Sequence, residues 1–259
     1  MRYLPMFKHL LTRRGLVQTF FLVLLFTSTI LFGQEADSVF NHIKAIPSTE
    51  EKVKAVQSAK TLIATADPKR LLELAQILKE INRDAKDQYA LALEYTIRGQ
   101  FHATSGQNDS ILYYRKLALN TFRPLPASSE KASAYNAISS NYYYQGELDK
   151  YLAYNDSAYE VTQQLAEPSM KMELMILLNR TPVLYELGQV EDAYNTLKTI
   201  EKELQPSSMD GFKGKLALRL NFHFRFYEIN TDSSLYYAEK SLYYAKLTKN
   251  KSYSASSYS

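Results

Sequence analysis

The sequence contains no cysteine and no tryptophan, and its 259 residues include only eight glycines and eight prolines. Without cysteine, disulfides, thiolate metal sites, thiol nucleophiles and lipid attachment through a cysteine are excluded. So little glycine and proline is sparse punctuation for a β-rich chain, which needs turn residues between many short strands. Histidine is scarce as well. His9, His42, His102 and His223 stand far apart, and none of the last three has a His or acid at metal-ligand spacing on a shared helical face. No glycine-rich phosphate loop occurs, because the glycines are isolated. The hydroxyl-rich stretches lack a nucleophile-elbow pattern with a base nearby. The paired acids Glu50-Glu51 and Glu191-Asp192 fall at helix starts, where the helix dipole accounts for them. The chain is therefore read as not an enzyme, with no cofactor, metal or catalytic residue. Catalysis would require a domain beyond residue 259.

Charge of one sign is also missing once the N-terminus is set aside. The formal net charge is +4, but residues 1–33 hold Arg2, Lys8, Arg13 and Arg14 and no acid. From residue 34 onward 27 basic residues face 27 acidic ones. A neutral remainder has no long-range field to draw it to a polyanion, so no nucleic-acid partner is expected.

Those first 33 residues form a unit of their own. A basic start is followed by an uncharged apolar run from Leu16 to Phe32, then Gly33-Gln34 and a polar stretch. That order describes a secretory signal peptide, with cleavage placed after Gly33; the alternative is a retained N-terminal anchor, since the run is near the lower limit for spanning a bilayer. The mature protein is expected in the periplasm or at the cell surface. It would touch a membrane only through this segment or through a region beyond Ser259.

From residue 34 on, the chain repeats. Acids follow a break at Asp67, Asp109, Asp149, Glu191 and Asp232, at spacings of 42, 40, 42 and 41 residues. Three residues before the last four stand Gly106, Gly146, Gly188 and Ile229. Nine residues after them stand Ala118, Ala158, Ile200 and Ser241. The segments Asp109–Tyr114 and Asp232–Tyr237 match at five of six positions. Apolar residues recur at helical steps on both sides of each glycine, so each repeat reads as two helices. The glycine takes a left-handed conformation that ends the first helix. The acid then starts the second, accepting free backbone N–H groups and opposing the dipole. The small residue nine further on lets neighbouring helices approach. Pro124, Pro126, Pro168 and Pro206 mark the breaks between repeats. In the first repeat, Ser48-Thr49-Glu50-Glu51 predicts a capping box and Asp67-Pro68 a cap with proline in the first turn. Helices are expected near 49–65 and 68–83, with a short one near 37–45.

This pattern resembles the tetratricopeptide (TPR) repeat. The positions that carry the likeness are Gly99, His102, Gly106, Ile111 and Ala118 in the second repeat. The third supplies Ser139, Tyr142, Gly146, Tyr151 and Ala158, and the fourth Thr181, Leu184, Gly188, Ala193 and Ile200. The period near 41 exceeds the family's 34, and several small positions carry larger residues. The resemblance covers roughly residues 45–250. It implies an all-α fold, a right-handed superhelical array of antiparallel helix pairs with about five repeats. The expected organisation is 1–33 leader and 34–259 repeat domain. The register sets the first helix of a further pair at 251–259, so the domain is expected to continue past Ser259; the alternative is a frayed Ser-rich tail.

A narrower resemblance, carried by the leader, the degenerate first pair and the Asp-Ser-x-Leu-Tyr-Tyr helices, is to the exported sensor region of bacterial TPR-containing histidine kinases and transcription regulators. It implies a non-catalytic scaffold that binds protein or peptide as the sensor part of a signalling protein. The alternatives are a stand-alone exported adaptor for envelope assembly, or the N-terminal region of an enzyme.

Tyrosine is abundant, at 21 residues, often in runs such as Tyr113-Tyr114, Tyr142-Tyr143-Tyr144 and Tyr236-Tyr237. Such residues pack between helices with the hydroxyl reaching water, or provide a rigid contact surface. In TPR arrays the first helix of each pair lines the groove. The groove positions carried over are Thr96, Gln100, Asn136, Ser140, Tyr143, Tyr185, Arg219, His223 and Phe226. That mixture suits an extended peptide held through its backbone. Arg219 and His223 are four apart and share a face, where they are expected to receive an acidic side chain or a C-terminal carboxylate.

Overall fold

The computed structural model describes residues 37–104, 106–205 and 207–248. The leader, Pro206 and the 249–259 tail lie outside the described residues. Among those described, all regular structure is α-helical: α1 (37–45), α2 (Thr49–Ala66), α3 (Arg70–Ala85), α4 (Gln88–Thr104), α5 (Asn108–Phe122), α6 (Ser129–Tyr144), α7 (Leu148–Gln163), α8 (Met170–Glu186), α9 (Val190–Leu204), α10 (Asp210–Phe226) and α11 (Thr231–Leu247). From α2 onward these make five antiparallel pairs. The helices run 15–18 residues, so the long period lies partly in the helices themselves. Contacts divide the chain between Leu125 and Pro126 into two compact units. The first holds α1–α5 and the second α6–α11.

In the first unit the core runs from Phe40 and Ile43 on α1, through Val56 and Ile63 on α2 and Leu71, Leu74 and Leu78 on α3, to Leu93 and Ile97 on α4. The second unit is built around Leu174, Leu184, Leu197, Ile200, Leu216 and Leu220. Helix α9 shows why: Ala193, Leu197, Ile200 and Leu204 repeat at steps of four, three and four, and all are buried. Burying each leucine or isoleucine contributes about 1.5–3 kcal/mol. The position nine residues after the acid is buried in the last four pairs, at Ala118, Ala158, Ile200 and Ser241, whereas in the first pair it is the exposed Gln76.

The turns follow the repeat. Gly106, Gly146 and Gly188 have φ of 70°, 73° and 73°. After α6 the Glu147 N–H donates to the Tyr142 carbonyl at 2.9 Å, and after α8 the Gln189 N–H donates to that of Leu184 at 2.8 Å. These bonds satisfy carbonyls that the helix end would leave unpaired. The last pair makes the same reversal with Ile229, whose φ is 52°.

Two boundaries differ from the sequence expectation. Helix α3 begins at Arg70 rather than near 68, because Asp67 Oδ1 accepts from the Lys69 N–H at 3.1 Å and holds Pro68 in a turn before the helix. The repeating acids Asp109, Asp149 and Glu191 sit in the first turn of their helices, not at the caps, and the side chains of Gln107, Glu147 and Gln189 at the caps make no capping bond to the helix backbone. Before Asp232 the cap is Asn230, whose Oδ1 accepts from Ser233 N at 2.9 Å. The acids therefore act on the dipole, and that requires only proximity to the first turn.

A β-branched residue in the left-handed region carries about 1–2 kcal/mol of strain, and Ile229 is 80% exposed, so it has few contacts to lose. Ile229→Gly is expected to raise stability in urea denaturation by about 0.5–1 kcal/mol. Gly146→Ala, at an equivalent turn, is expected to lower it by a similar amount.

Candidate functional site

Seven of the nine groove positions fall in the second unit, on the first helices of its pairs: α6 carries Asn136, Ser140 and Tyr143, α8 carries Tyr185, and α10 carries Arg219, His223 and Phe226. Thr96 and Gln100 lie half-buried on α4 of the first unit, where the Thr96 hydroxyl donates to the Ala92 carbonyl at 2.9 Å.

Ser140, Tyr143 and Arg219 line one cavity of about 390 Å³, together with Tyr144, Tyr151, Asn179, Pro182 and Val183. Its shape begins with Pro182, a proline inside α8. Proline has no N–H, so the Leu178 carbonyl loses its donor four residues on. The Thr181 hydroxyl donates to that carbonyl instead, at 3.0 Å. The next carbonyl, of Asn179, accepts from the Tyr151 hydroxyl of α7 at 2.7 Å. Asn155, one turn along α7, donates to the Ile176 carbonyl at 3.4 Å. Polar side chains of α7 thus bond the backbone of α8 where the proline lies. Burial pushes the Tyr151 hydroxyl up to about 12.

The mouth is set by Tyr143, whose ring meets that of Tyr151 edge-on at 5.9 Å. Its hydroxyl donates to Glu186 Oε1 at 3.0 Å, and that bond, with burial behind it, raises its pKa. Ser140 donates to the Asn136 carbonyl at 3.0 Å, which ties two groove positions of α6 to each other. Arg219 is half-buried. Its guanidinium makes no ion pair or hydrogen bond with any described residue. Its electrostatic neighbours are Tyr143, Tyr151 and Tyr185, and burial pulls its pKa down.

His223 and Tyr185 are placed differently. Both are buried. The His223 ring stacks on Tyr194 of α9, with centroids 4.2 Å apart. The Glu228 carboxylate, an acceptor only, stands 3.4 Å from Nε2, leaving Nδ1 to accept from the Tyr185 hydroxyl at 3.0 Å. Burial holds the His223 pKa below its ordinary value. The shared face of Arg219 and His223 therefore does not make a joint anion site: the arginine lines the cavity, while the histidine is packed inward with both nitrogens engaged. Phe226 is exposed, packed on Phe222 at 4.9 Å.

Tyr151, Asn179 and Pro182 were not among the groove positions carried over from the sequence. Pro182 offered the one signal, a proline within a helical pattern. Tyr151 stood at a repeat position read as packing. Among the described residues no group of three His, Asp or Glu could hold a metal ion, and no helix is long and apolar enough to cross a membrane.

The chain matches solved repeat structures over most of its length. BtubC (BKLC) from P. vanneervenii aligns with a TM-score of 0.63 at 14% identity, covering 86% of this chain and 91% of that one. Two crystal structures of the nearly identical TPR-like repeats of a Podosopora anserina protein assigned as a kinesin light chain align at 0.55 and 0.54. Their identities are 8% and 7%, with 78% and 80% of this chain covered and 96% and 100% of theirs. The fold is TPR-like. At these identities the likeness concerns the path of the helices, not the surface they present. No protein-family profile matches the chain, and no curated protein matches it.

Because Tyr151 is a buried donor to a backbone carbonyl, Tyr151→Phe is expected to cost about 1–2 kcal/mol in urea denaturation. Tyr143→Phe, at the exposed mouth, is expected to cost less than about 1 kcal/mol. The Tyr151 pKa rises on folding from 10.0 to about 12, so folding favours the neutral phenol. Its contribution is complete below the unfolded value and is lost as pH rises from about 10 through about 12. Stability measured across that window is expected to fall less steeply in Tyr151→Phe than in the parent.

Proposed function

We propose that this chain is a non-catalytic scaffold that binds an extended protein segment on the α6, α8 and α10 face of its second unit. We propose further that it is exported and serves as the extracytoplasmic sensor part of a signalling protein. The observation that carries the binding reading is the cavity on that face: first helices supply Ser140, Tyr143 and Arg219, and Tyr151 braces α8 from behind. A TPR-like repeat fold is commonly a surface for other proteins, and tyrosine gives contact area at small entropic cost. The apolar run after Arg13-Arg14 supports export. The sensor role rests on the sequence resemblance.

Binding is tested by selecting from a random decapeptide array with the full chain and with Ser140→Arg, which fills the cavity while leaving the core intact. About a tenfold or greater loss of affinity is expected for the selected peptides. Equal binding by a folded Ser140→Arg protein would remove the assignment to this face. Export is tested by fusing alkaline phosphatase after residue 248 in a bacterial host. Activity dependent on residues 1–33 is expected, and a fusion that stays inactive in the cytoplasm would overturn the localisation.

A further inference from the structure

We infer that the pocket where α9, α10 and α11 meet binds a small free acid whose apolar body is about the size of one ring, such as an aromatic or branched short-chain carboxylic acid. The pocket has a volume of about 140 Å³ and shares no lining residue with the cavity on the α6, α8 and α10 face, so it stands apart from the peptide site proposed above. Its floor is apolar. Leu204 closes the end of α9, and Leu216, Ala217 and Leu220 run along α10, each no more than 4% exposed. Tyr237 of α11, also buried, forms a wall. Protein interiors keep few openings larger than a water molecule, and an apolar cavity of roughly 150 Å³ is enough to take a benzene ring. Ala217, the one small side chain of the floor, leaves that space.

The rim is polar and carries an excess of positive charge, Lys213 and Lys240 against Glu201. The Glu201 carboxylate is already committed: Oε2 accepts from Lys198 at 2.6 Å and Oε1 from the Tyr237 hydroxyl at 3.0 Å. That leaves it little with which to receive a cationic ligand. Lys240 is in the opposite state. Its ammonium stands 3.8 Å from Glu201 Oε1, beyond hydrogen-bond reach, and over the rings of Tyr236 and Tyr237 at 5.4 and 5.6 Å. An ammonium has three N–H donors to give. Lys213 spends one of its own on the Ser207 carbonyl. A ligand seated on the leucine floor would bring its head to this rim, where a carboxylate meets charged donors and its single negative charge matches the excess. A volume that takes one ring would leave most of a long acyl chain in water.

The test uses the full chain. Benzoate and isovalerate are titrated by calorimetry at constant ionic strength, beside acetate, benzyl alcohol and benzylamine. Saturable binding of benzoate or isovalerate below about 10 mM is expected. Acetate lacks the apolar body and benzyl alcohol the charge, and each is expected to bind at least about tenfold more weakly. Lys240→Gln is expected to weaken benzoate by about tenfold and to leave benzyl alcohol unchanged. Lys246→Gln, exposed on the same helix, is expected to change neither. Ala217→Val, which fills the floor, is expected to weaken both; if that variant does not fold, Lys240→Gln decides alone. Ser140→Arg is expected to leave benzoate binding unchanged, which keeps failure of the peptide site distinct from failure of this one. No saturable binding of either acid overturns the site. Benzylamine or benzyl alcohol binding as tightly as benzoate overturns the acid head. Benzoate affinity that is unchanged in Lys240→Gln removes this pocket as its place.

Discussion

A pair of antiparallel amphipathic helices cannot cover its own apolar surface, and everything else in this protein follows from that. Within a unit, a second helix that is followed by another pair must satisfy its partner on one side and the next first helix on another. Helix α9 shows the double duty. Its Ala193, Leu197, Ile200 and Leu204 are all buried, while Tyr194 reaches out to stack on His223 of α10. In the last four pairs the residue near the middle of the second helix is buried: Ala118, Ala158 and Ser241 are small, which permits close approach, and Ile200 is larger yet fully buried.

The same need explains where polar groups are buried. Between α7 and α8 the contact is made partly by hydrogen bonds rather than by apolar packing alone: Tyr151 and Asn155 of α7 donate to the Asn179 and Ile176 carbonyls of α8, near Pro182, while the carbonyl that the proline frees, of Leu178, is met by Thr181. At the next junction, with no proline, the corresponding residues are Ala193 and Leu197, and the contact is apolar. The cavity lies beside this partly polar junction, with Tyr151 and Asn179 among its lining. Two neighbouring pairs built to the same register are packed by different chemistry, and only one of them leaves a cleft with an unpaired cation.

The period of the acids, the glycines and the small residues was legible in the sequence because each answers to a local rule. A left-handed turn favours glycine, a helix start favours an acid, and a crossing point favours a small side chain. Five pairs and the short α1 helix could be read from these. The acid at each second helix shows the limit of such reading: its place near the N-terminus was clear, but whether it caps or only opposes the dipole depends on one residue of helix phase. Likewise Asp67-Pro68 marked a boundary, and the turn it forms set the start of α3 two residues later.

The candidate site was legible only in part. Which helices face a groove follows from the repeat, and with it Ser140, Tyr143 and Arg219. That Arg219 lines a cavity while His223, one turn away on the same helix, is buried against Tyr194 and Tyr185 was decided by the tertiary structure. A side chain's surroundings come from residues tens of positions distant, and no local period encodes them. The sequence by itself determined the helix pairs, their turns and their register. The packing of neighbouring pairs decided which polar groups found partners and left the Arg219 guanidinium without an ion pair among the described residues, because pairing a charge is a property of three-dimensional neighbours.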